Sequence, residues 1–333
     1  MPPDPRDIAA ILEQNLGFDE PARWVDYALR HGFRRAKAVS VRCCPDCSAE
    51  PNGVVGQYIH YSNLIHLLDC PRCGLIWADV HIDPDVVRHH FALAYKDDEY
   101  FRESRGAIFE HLAALIERRA AHGARVLDIG GARGDLMQRV VARRPDVHVT
   151  IHDISEAATS WAAAQFGFAT LNGDADVLAG HAEQYDIVVL SDVLYYEPKL
   201  KLLWSALSRL MRPGGTLIIR VPNKVALVQL GRLWLHLSRS RRRRLLQDRV
   251  PFFNPEQIFL FRRRYLLARL GQLGCSRIEV VPSPPLGGSI PAAVRSAAFG
   301  LASITSVVTR GMLVLTPAML VIGSREETAP LPP

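Results

Sequence analysis

A glycine-rich turn between an apolar strand and a helix constrains this chain more than any other feature. Residues 126–134 read VLDIGGARG, and the helix that follows would place Leu136, Val140 and Val141 on its inner face. The first two glycines permit a tight turn and the close approach of a ligand, while Gly134 permits close packing of helix and strand. The pattern predicts an α/β fold with a parallel sheet, although such a turn also occurs where only packing requires it.

Asp128 indicates which ligand this turn would suit. The pyrophosphate of a dinucleotide prefers a helix amino terminus without carboxylates, whereas Asp128 ends the strand directly beside the turn. A carboxylate in that position favours a ligand that carries a cation and no phosphate. S-adenosylmethionine, which has an ammonium and a sulfonium group, is a ligand of this kind.

Two later strand ends carry the carboxylates that such a ligand needs. Residues 147–153 read as a second strand that ends in Asp153, where a carboxylate can accept both hydroxyls of a ribose. Residues 172–175 follow a third apolar run, and Asp174 offers an acceptor for an adenine amino group. Residues 185–192 then read as a buried strand with two polar residues at its carboxyl end, where open α/β sheets bind ligands.

In this order, and followed by a Pro-Gly-Gly turn and a strand at 216–221, the segments resemble the class I S-adenosylmethionine-dependent methyltransferase domain. The resemblance covers about residues 105–282 and a final strand. It implies a Rossmann-like, doubly wound, seven-stranded sheet. The cofactor-binding residues that it implies are Asp128, Gly130, Gly131, Ala132, Gly134, Asp153, Ile154, Asp174, Ala175, Ser191 and Asp192.

Two positions depart from the family pattern. Ala132 replaces a glycine that is usual in the family's glycine triplet, and Tyr196 stands where many relatives carry a histidine. Tyr196 is the candidate catalytic residue by position, with Asp192, Tyr195 and Glu197 as other candidates for a general base. A tyrosine with an ordinary pKa near 10 is a poor base, so a role in shaping the pocket or hydrogen-bonding the acceptor stays open for Tyr196.

Five of the six cysteines lie within residues 43–73 and predict a metal site. Cys44, Cys47, Cys70 and Cys73 form two C-x2-C pairs at the spacing of a four-cysteine zinc ribbon. The intervening residues 58–68 can supply the hairpin that brings the pairs together. Four thiolates would complete the coordination sphere, so the expected Zn2+ is structural. The spacing favours Cys44 as a ligand but leaves Cys43 open as its replacement.

The formal charge of +6 is unevenly distributed. Residues 224–269 contain twelve Lys or Arg and two acidic residues, so any basic partner surface lies in that segment. Residues 226–237 have an amphipathic pattern and lead into the run Arg241 to Arg244. A peripheral membrane contact through residues 226–244, a nucleic-acid contact, a cap over the active site and a solvated insertion all stay open.

The chain divides by pattern into several regions. The predicted regions are a helical extension at 1–40, a zinc ribbon at 41–80, a linker at 81–104, a methyltransferase domain at 105–325 with a helical insertion at about 224–250, and a disordered tail at 326–333. Near the carboxyl terminus we expect a helix at 256–273 and strands at 276–281 and 319–323. Between those strands we expect an apolar helical insert at 290–315, which either packs on the domain or forms part of a roof over the substrate. No signal peptide or sufficiently long apolar span is evident, which predicts a cytoplasmic protein.

Zinc ribbon, aromatic linker and methyltransferase domain, in this order, are similar to a bacterial group of small-molecule methyltransferases. The resemblance implies methylation of an oxygen, carbon or nitrogen of a natural-product, sugar or lipid-type acceptor. An RNA guanine methyltransferase that uses the zinc module and the arginines is the alternative, and a cofactor-binding protein without catalysis is another. Nucleic acid is disfavoured, because residues 191–194 lack the Asn-Pro-Pro-Tyr type motif of base amino-group methylation. The pattern does not determine the oligomeric state.

Overall fold

The computed structural model describes residues 35–83, 98–225, 256–287 and 291–327, together with Asp26, residues 29–30, Val86 and Asn254. The chain forms two compact units. The first consists of Met1–Val87 and Lys224–Arg262, and the second of Arg88–Asn223 and Arg263–Pro333. Segment 224–262 therefore groups with the amino-terminal unit, whereas the sequence pattern places most of it as an insertion in the methyltransferase domain.

Beyond residue 97 the described elements alternate between strands and helices, except that strand β11 follows strand β10. The strands are β1 Ala38–Ser40, β2 Val54–His60, β3 Asn63–Asp69, β4 Ile76–Ala78, β5 Val80–Ile82, β6 Arg125–Ile129, β7 His148–Asp153, β8 Ala169–Asn172, β9 Tyr185–Ser191, β10 Met211–Pro222, β11 Phe259–Leu260, β12 Cys275–Pro282 and β13 Ala318–Arg325. The helices are α1 Asp98–Arg119, α2 Asp135–Arg143, α3 Glu156–Phe166, α4 Ala175–Gly180, α5 Leu200–Leu210, α6 Arg263–Gln272 and α7 Ala292–Val308.

The first unit is built on the hairpin that the cysteine spacing predicts. Strands β2 and β3 pair antiparallel, and β4 and β11 extend them into a sheet of order β11-β4-β3-β2. The hairpin turns at Tyr61 and Ser62, whose positive φ values of 45° and 57° match the right-handed strand twist of a two-residue hairpin loop. Alternate side chains point inward, and Tyr58, Ile65 and Leu67 are completely buried or nearly so.

The second unit contains a seven-stranded sheet of order β12-β13-β10-β9-β6-β7-β8. All neighbouring pairs from β10 to β8 are parallel, and β13 runs antiparallel between β10 and β12. This confirms the predicted Rossmann-like, doubly wound fold. The strand order reverses at β6, which lies between β7 and β9, and open α/β sheets bind ligands at the carboxyl ends of strands beside such a reversal.

Apolar residues on both faces of the central strands explain why this sheet is covered by helices. Every residue of β9 except the last is buried, as expected for a central parallel strand. Helices α1 and α2 pack together against one face through Leu112, Ile116, Met137 and Val140, all of which are fully buried. The core thus fixes β6 and α2, the two elements that flank the glycine-rich turn.

Two predicted helices differ from the structure. In the helix predicted at 256–273, Phe259–Leu260 instead form strand β11, paired with Trp77 and Ile76, and the helix begins only at Arg263. Pairing with a distant strand outweighs the helical pattern there, because two aromatic residues at 259 and 261 also suit a strand. The predicted amino-terminal helix does not reach residue 38, since Ala38–Ser40 pairs with Val80–Ile82. Its earlier part lies mostly outside the described residues.

The insert predicted at 290–315 is helical, but its packing differs from expectation. Helix α7 turns Phe299, Ala302 and Ser306 inward and several large aliphatic residues outward, as described below. In the described part of the chain, none of the helices is both long and apolar enough to cross a membrane. The predicted helix at 226–237, the arginine run after it and most of the linker at 84–97 lie outside the described residues, as do residues 328–333.

Candidate functional site

The glycine-rich turn packs so tightly against its neighbours that a side chain does not fit at Gly130 or Gly131. Gly130 has φ 72°, and a Cβ atom there would lie 2.6 Å from Val193 Cγ2. A Cβ on Gly131 would lie 2.9 Å from the carboxyl group of Asp128. Gly134 also has a positive φ, of 79°. Ala132 has φ 48°, so this alanine occupies a left-handed conformation that favours the glycine usual in the family.

The backbone N–H groups of the turn are used within the fold. Gly130 N and Gly131 N both donate to the carbonyl oxygen of His152, at 2.7 and 3.1 Å, and Gly134 N donates to Gly131 O at 2.8 Å. Ala132 N donates to Asp153 Oδ2 at 3.0 Å. Phosphate-binding turns instead direct such N–H groups at the ligand. The geometry therefore favours a ligand without phosphate. The sequence interpretation of Asp128 led to the same expectation.

Two buried carboxyl groups lie beneath this turn. Asp128 is 2% exposed and Asp153 is 3% exposed. Burial, and then the negative charge of Asp153, raises the pKa of Asp128 to about 8. Asp153 is oriented by two backbone donors, Ala132 N on Oδ2 and Ser155 N on Oδ1 at 2.9 Å. A cation bound close to this pair would stabilise the ionised form of Asp128.

A cleft of about 540 Å³ opens beside Asp153, at the carboxyl ends of β7 and β8. The lining residues are Ile154, Ser155, Glu156, Ala157, Asn172, Gly173, Asp174 and Val177. Two predicted site residues, Ile154 and Asp174, thus line one cleft, and Ala175 follows as the buried first residue of α4. Asp174 caps α4 by accepting from Asp176 N at 3.0 Å and pairs with Lys199 Nζ at 2.8 Å, so its orientation is fixed.

Ser191 and Asp192 lie at the carboxyl end of β9, where the sequence places them, but Asp192 has partners that the sequence did not reveal. It pairs with Arg220 from β10 and with Arg105 from α1, whose Nη1 lies 3.2 Å from Asp192 Oδ2. Arg220 is 4% exposed and also donates from Nε to Ser283 Oγ at 2.7 Å. Asp192 adopts φ 61°, a strained conformation that clusters at functional sites.

The four candidates for a general base differ in their surroundings. Asp192 is held between two guanidinium groups, so its carboxylate is already engaged within the fold. Burial and the charge of Asp192 raise the pKa of Tyr195 well above its usual value, so its hydroxyl stays neutral. Burial also raises the pKa of Glu197, which brings this carboxylate nearer to the range of an effective base. Tyr196 stacks obliquely on Tyr195, with ring centroids 4.4 Å apart.

The four predicted cysteine ligands come together in the first unit. The Sγ atoms of Cys44, Cys47, Cys70 and Cys73 all lie within 4.8 Å of one another. Two of the Sγ–Sγ distances are 3.6 Å, between Cys44 and Cys73, and 3.4 Å, between Cys47 and Cys70. A tetrahedral Zn2+ with bonds of about 2.3 Å requires sulfur atoms about 3.8 Å apart. The cluster therefore fits the ion, while Cys43 is exposed and does not belong to it.

The two cysteine pairs sit on turns with the same backbone hydrogen bonds. Cys44 N donates to Ala49 O and Ser48 N donates to Cys44 O, at 2.9 and 2.8 Å. In the second turn the equivalent bonds are Cys70 N to Leu75 O and Gly74 N to Cys70 O, at 2.9 and 3.1 Å. Ser48 and Gly74 also share a positive φ, of 58° and 81°. This repeated geometry points both thiols of each pair at one centre.

Sequence reasoning missed Arg105, Arg220 and Lys199 as parts of the site. A lone arginine in the apolar strand TLIIRVP was a signal for Arg220, because a charge in a central strand requires a partner. Arg105 carried no such signal, since arginines are ordinary on a long helix. The link between Lys199 and Asp174 depends on how α5 packs near α4 and could not be read from spacing.

Solved structures share this fold. One chain of the complex between the Haloferax volcanii Trm112 methyltransferase activator and a methyltransferase has a TM-score of 0.50 and 17% identity, over 73% of this chain and 99% of that one. An S-adenosylmethionine-dependent methyltransferase from Archaeoglobus fulgidus has a TM-score of 0.45 and 17% identity, over 71% of this chain and 100% of that one. An S-adenosylmethionine-dependent methyltransferase from Mesorhizobium loti has a TM-score of 0.44 and 18% identity, over 65% of this chain and 98% of that one.

The strand order and the glycine-rich turn define the class I S-adenosylmethionine-dependent methyltransferases. A family model described as a methyltransferase domain matches residues 100–280, more than half of the chain. The protein therefore belongs to the methyltransferase domain family and is an S-adenosylmethionine-dependent methyltransferase. A search of curated protein sequences finds no match.

Proposed function

We propose that this enzyme transfers the methyl group of S-adenosylmethionine to a small organic acceptor. The observation that carries the proposal is the buried ion-pair cluster of Arg105, Asp192 and Arg220 at the carboxyl edge of the sheet. Arg105 and Arg220 are engaged by Asp192, so this edge of the sheet does not direct them at phosphates; the arginines from Arg239 to Arg249, on which the nucleic-acid alternative rests, lie outside the described residues. The neighbouring Tyr195 and Tyr196 offer aromatic walls for a compact ligand.

The cofactor would be held by the turn and the cleft described above. Gly130, Gly131 and Ala132 let it approach the backbone, and Asp128 supplies negative charge for its cationic end. Asp153 would accept the ribose hydroxyls, since a carboxylate has about four acceptor sites and two backbone donors already orient it. Ile154 and Asp174 would contact the adenine. When bound, S-adenosylmethionine supplies an electrophilic methyl carbon.

The acceptor would lie between Ser191 and Tyr196. Ser191 Oγ is buried and makes no hydrogen bond within the described part of the chain, so it suits a polar atom of a bound ligand. Methyl transfer depends mainly on alignment of the reacting atoms. Tyr196 would orient the acceptor, and Glu197, whose raised pKa results from burial, would take its proton where one must leave.

We also propose that the four-cysteine cluster binds one structural Zn2+. The sulfur geometry and the repeated turns support this site. The expected cytoplasmic location stays a prediction.

An isotope experiment tests the substrate class. The purified full chain is incubated with tritiated S-adenosylmethionine and an extract of the source cells, which is then separated by ultrafiltration. We expect label in products that pass a filter of low molecular-mass cutoff. Label retained in macromolecules and released by ribonuclease would instead support the RNA reading.

Matched variants control this measurement. Asp153→Ala should abolish the labelling, because it removes the proposed ribose acceptor. Asp146→Ala removes a carboxylate that pairs with Arg144 at the opposite, amino-terminal edge of the sheet, and it should leave the labelling intact. Equal loss in both variants would count against the proposed cofactor site.

A further inference from the structure

Helix α7 presents its apolar side chains to solvent instead of to the core. Val294, Leu301, Ile304 and Val308 share one face and are 57%, 66%, 63% and 77% exposed. The side of the helix that packs against the unit carries Phe299, whose ring centroid lies 5.8 Å from that of His111, together with Ala302 and Ser306, which are 5% and 2% exposed. An ordinary amphipathic surface helix turns its aliphatic stripe toward the core, whereas α7 leaves its aliphatic stripe exposed.

The loop after α7 extends this face. Met312, Leu313 and Leu315 are 72%, 47% and 58% exposed. We call these three residues together with Val294, Leu301, Ile304 and Val308 the α7 apolar surface. Single exposed aliphatic residues are common on proteins, but seven of them within residues 294–315 are a concentration that marks an interaction site.

Hydrogen bonds fix the loop in the conformation that displays these residues. Gly311 N donates to Ser306 O at 2.7 Å, and Asn223 Nδ2 donates to Val314 O at 2.9 Å. Gly311 has φ 72°, and a Cβ atom there would lie 2.4 Å from Val280 O. The outward position of the apolar side chains is therefore specified by the fold.

The charge pattern indicates what covers this surface. The sequence contains no Asp or Glu from Val280 to Arg325, so nothing in this stretch repels an anionic partner. Arg310 is exposed and lies between the helical and loop parts of the α7 apolar surface. An exposed cation beside exposed aliphatic side chains, in a stretch without carboxylates, suits anionic headgroups above acyl chains.

We propose that the α7 apolar surface docks the enzyme on an anionic phospholipid bilayer. The 17 residues of α7 would lie in the plane of the interface, with the aliphatic side chains among the upper acyl chains and Arg310 among the phosphates. With 17 residues, the helix is too short to cross the bilayer. This placement is independent of the proposed acceptor class and uses residues outside the sequence segment expected to contact membranes.

Vesicle flotation tests the proposal with the full chain. Vesicles of phosphatidylcholine with about 30% phosphatidylglycerol should bind the wild type, and vesicles of phosphatidylcholine alone should bind it several-fold less. Leu301→Gln with Ile304→Gln should weaken binding to anionic vesicles about tenfold or more, because two buried aliphatic contacts are lost. Arg310→Glu should weaken it about fivefold or more on anionic vesicles only.

A matched control uses two valines of the first unit. Val39 and Val54 are 60% and 52% exposed, so Val39→Gln with Val54→Gln removes comparable apolar exposure elsewhere. This control should bind vesicles within about twofold of wild type, and calorimetric binding of S-adenosylmethionine should be unchanged in all variants. Failure of the wild type to bind anionic vesicles, or equal binding by the Leu301/Ile304 variant, would overturn the proposal. A lipid-free wild-type dimer that this variant converts to monomers would assign the surface to a second copy.

Discussion

The buried carboxyl group of Asp128 should make the stability of the second unit depend on pH. Its pKa is raised to about 8, first by burial and then by Asp153, whereas a solvated aspartate titrates near 4. The folded state therefore retains a proton that the unfolded chain releases. The resulting stability is fully present below about pH 4 and is lost as the pH rises to about 8.

The change Asp128→Asn removes this titration while keeping the size and polarity of the side chain. Linkage with these two pKa values gives a loss of about 2 kcal/mol for the wild type between pH 6 and pH 8. For a unit of this size, that corresponds to a difference of about 4–8 °C in melting temperature. The asparagine variant should lack this component, so its advantage over the wild type should grow with pH.

Thermal unfolding followed by circular dichroism at pH 6, 7 and 8, without cofactor, measures this difference. Comparison at each pH cancels the titration of groups that both proteins share. Parallel melting curves for the two proteins across this range would refute the reasoning, since they would show that Asp128 does not hold a proton in the fold. Asp146→Asn serves as the control, because the pKa of Asp146 is lowered by Arg144 and it is ionised throughout this range.

Three further predictions concern the cofactor site, the metal site and the stability of the first unit. Asp153→Ala should weaken S-adenosylmethionine binding by about 1.5–3 kcal/mol in calorimetry, since hydrogen bonds to a charged group are lost; unchanged affinity would contradict the ribose assignment. Purified protein should contain about one zinc per chain, and Cys70→Ser should release it and destabilise the first unit; substoichiometric zinc after zinc-replete, reducing expression would argue against the site. Arg262→Gln should destabilise that unit by about 2–4 kcal/mol in urea unfolding, because Arg262 pairs with Asp69 and donates to Gly74 O at 3.0 Å; an unchanged midpoint would show that this link is dispensable.

The central sheet could be predicted because its signals are local. The inner parallel strands are largely buried and therefore read as apolar runs, and each is followed by a turn with glycine or a polar cap. The six strands of the second unit whose bounds were predicted appear near those bounds, although β10 begins earlier, at Met211, and the short, mostly exposed edge strand β8 was predicted only as an apolar run before Asn172. The four cysteines were equally readable, since metal ligation imposes a fixed spacing on two short turns.

Other features depended on contacts between residues far apart in sequence. Phe259–Leu260 form a strand because they pair with the edge of β4. This pairing agrees with the grouping of Lys224–Arg262 in the first unit. Arg105 and Asp192 are 87 positions apart, so their local sequences could not predict the ion pair. The hydrogen bond from Ala132 N to Asp153 likewise could not be predicted, because it forms only when the glycine-rich turn is folded against β7.

The sequence by itself determined the α/β class, the positions of the strand ends around the glycine-rich turn and the four-cysteine cluster, because periodicity, glycine conformation and cysteine spacing act over a few residues. Only the tertiary structure decided which groups share one environment. It surrounded Asp192 with arginines, buried Asp128 next to Asp153, and turned the aliphatic face of α7 outward. A helical pattern shows that one face is apolar, but which face meets the core depends on the surface against which the helix packs.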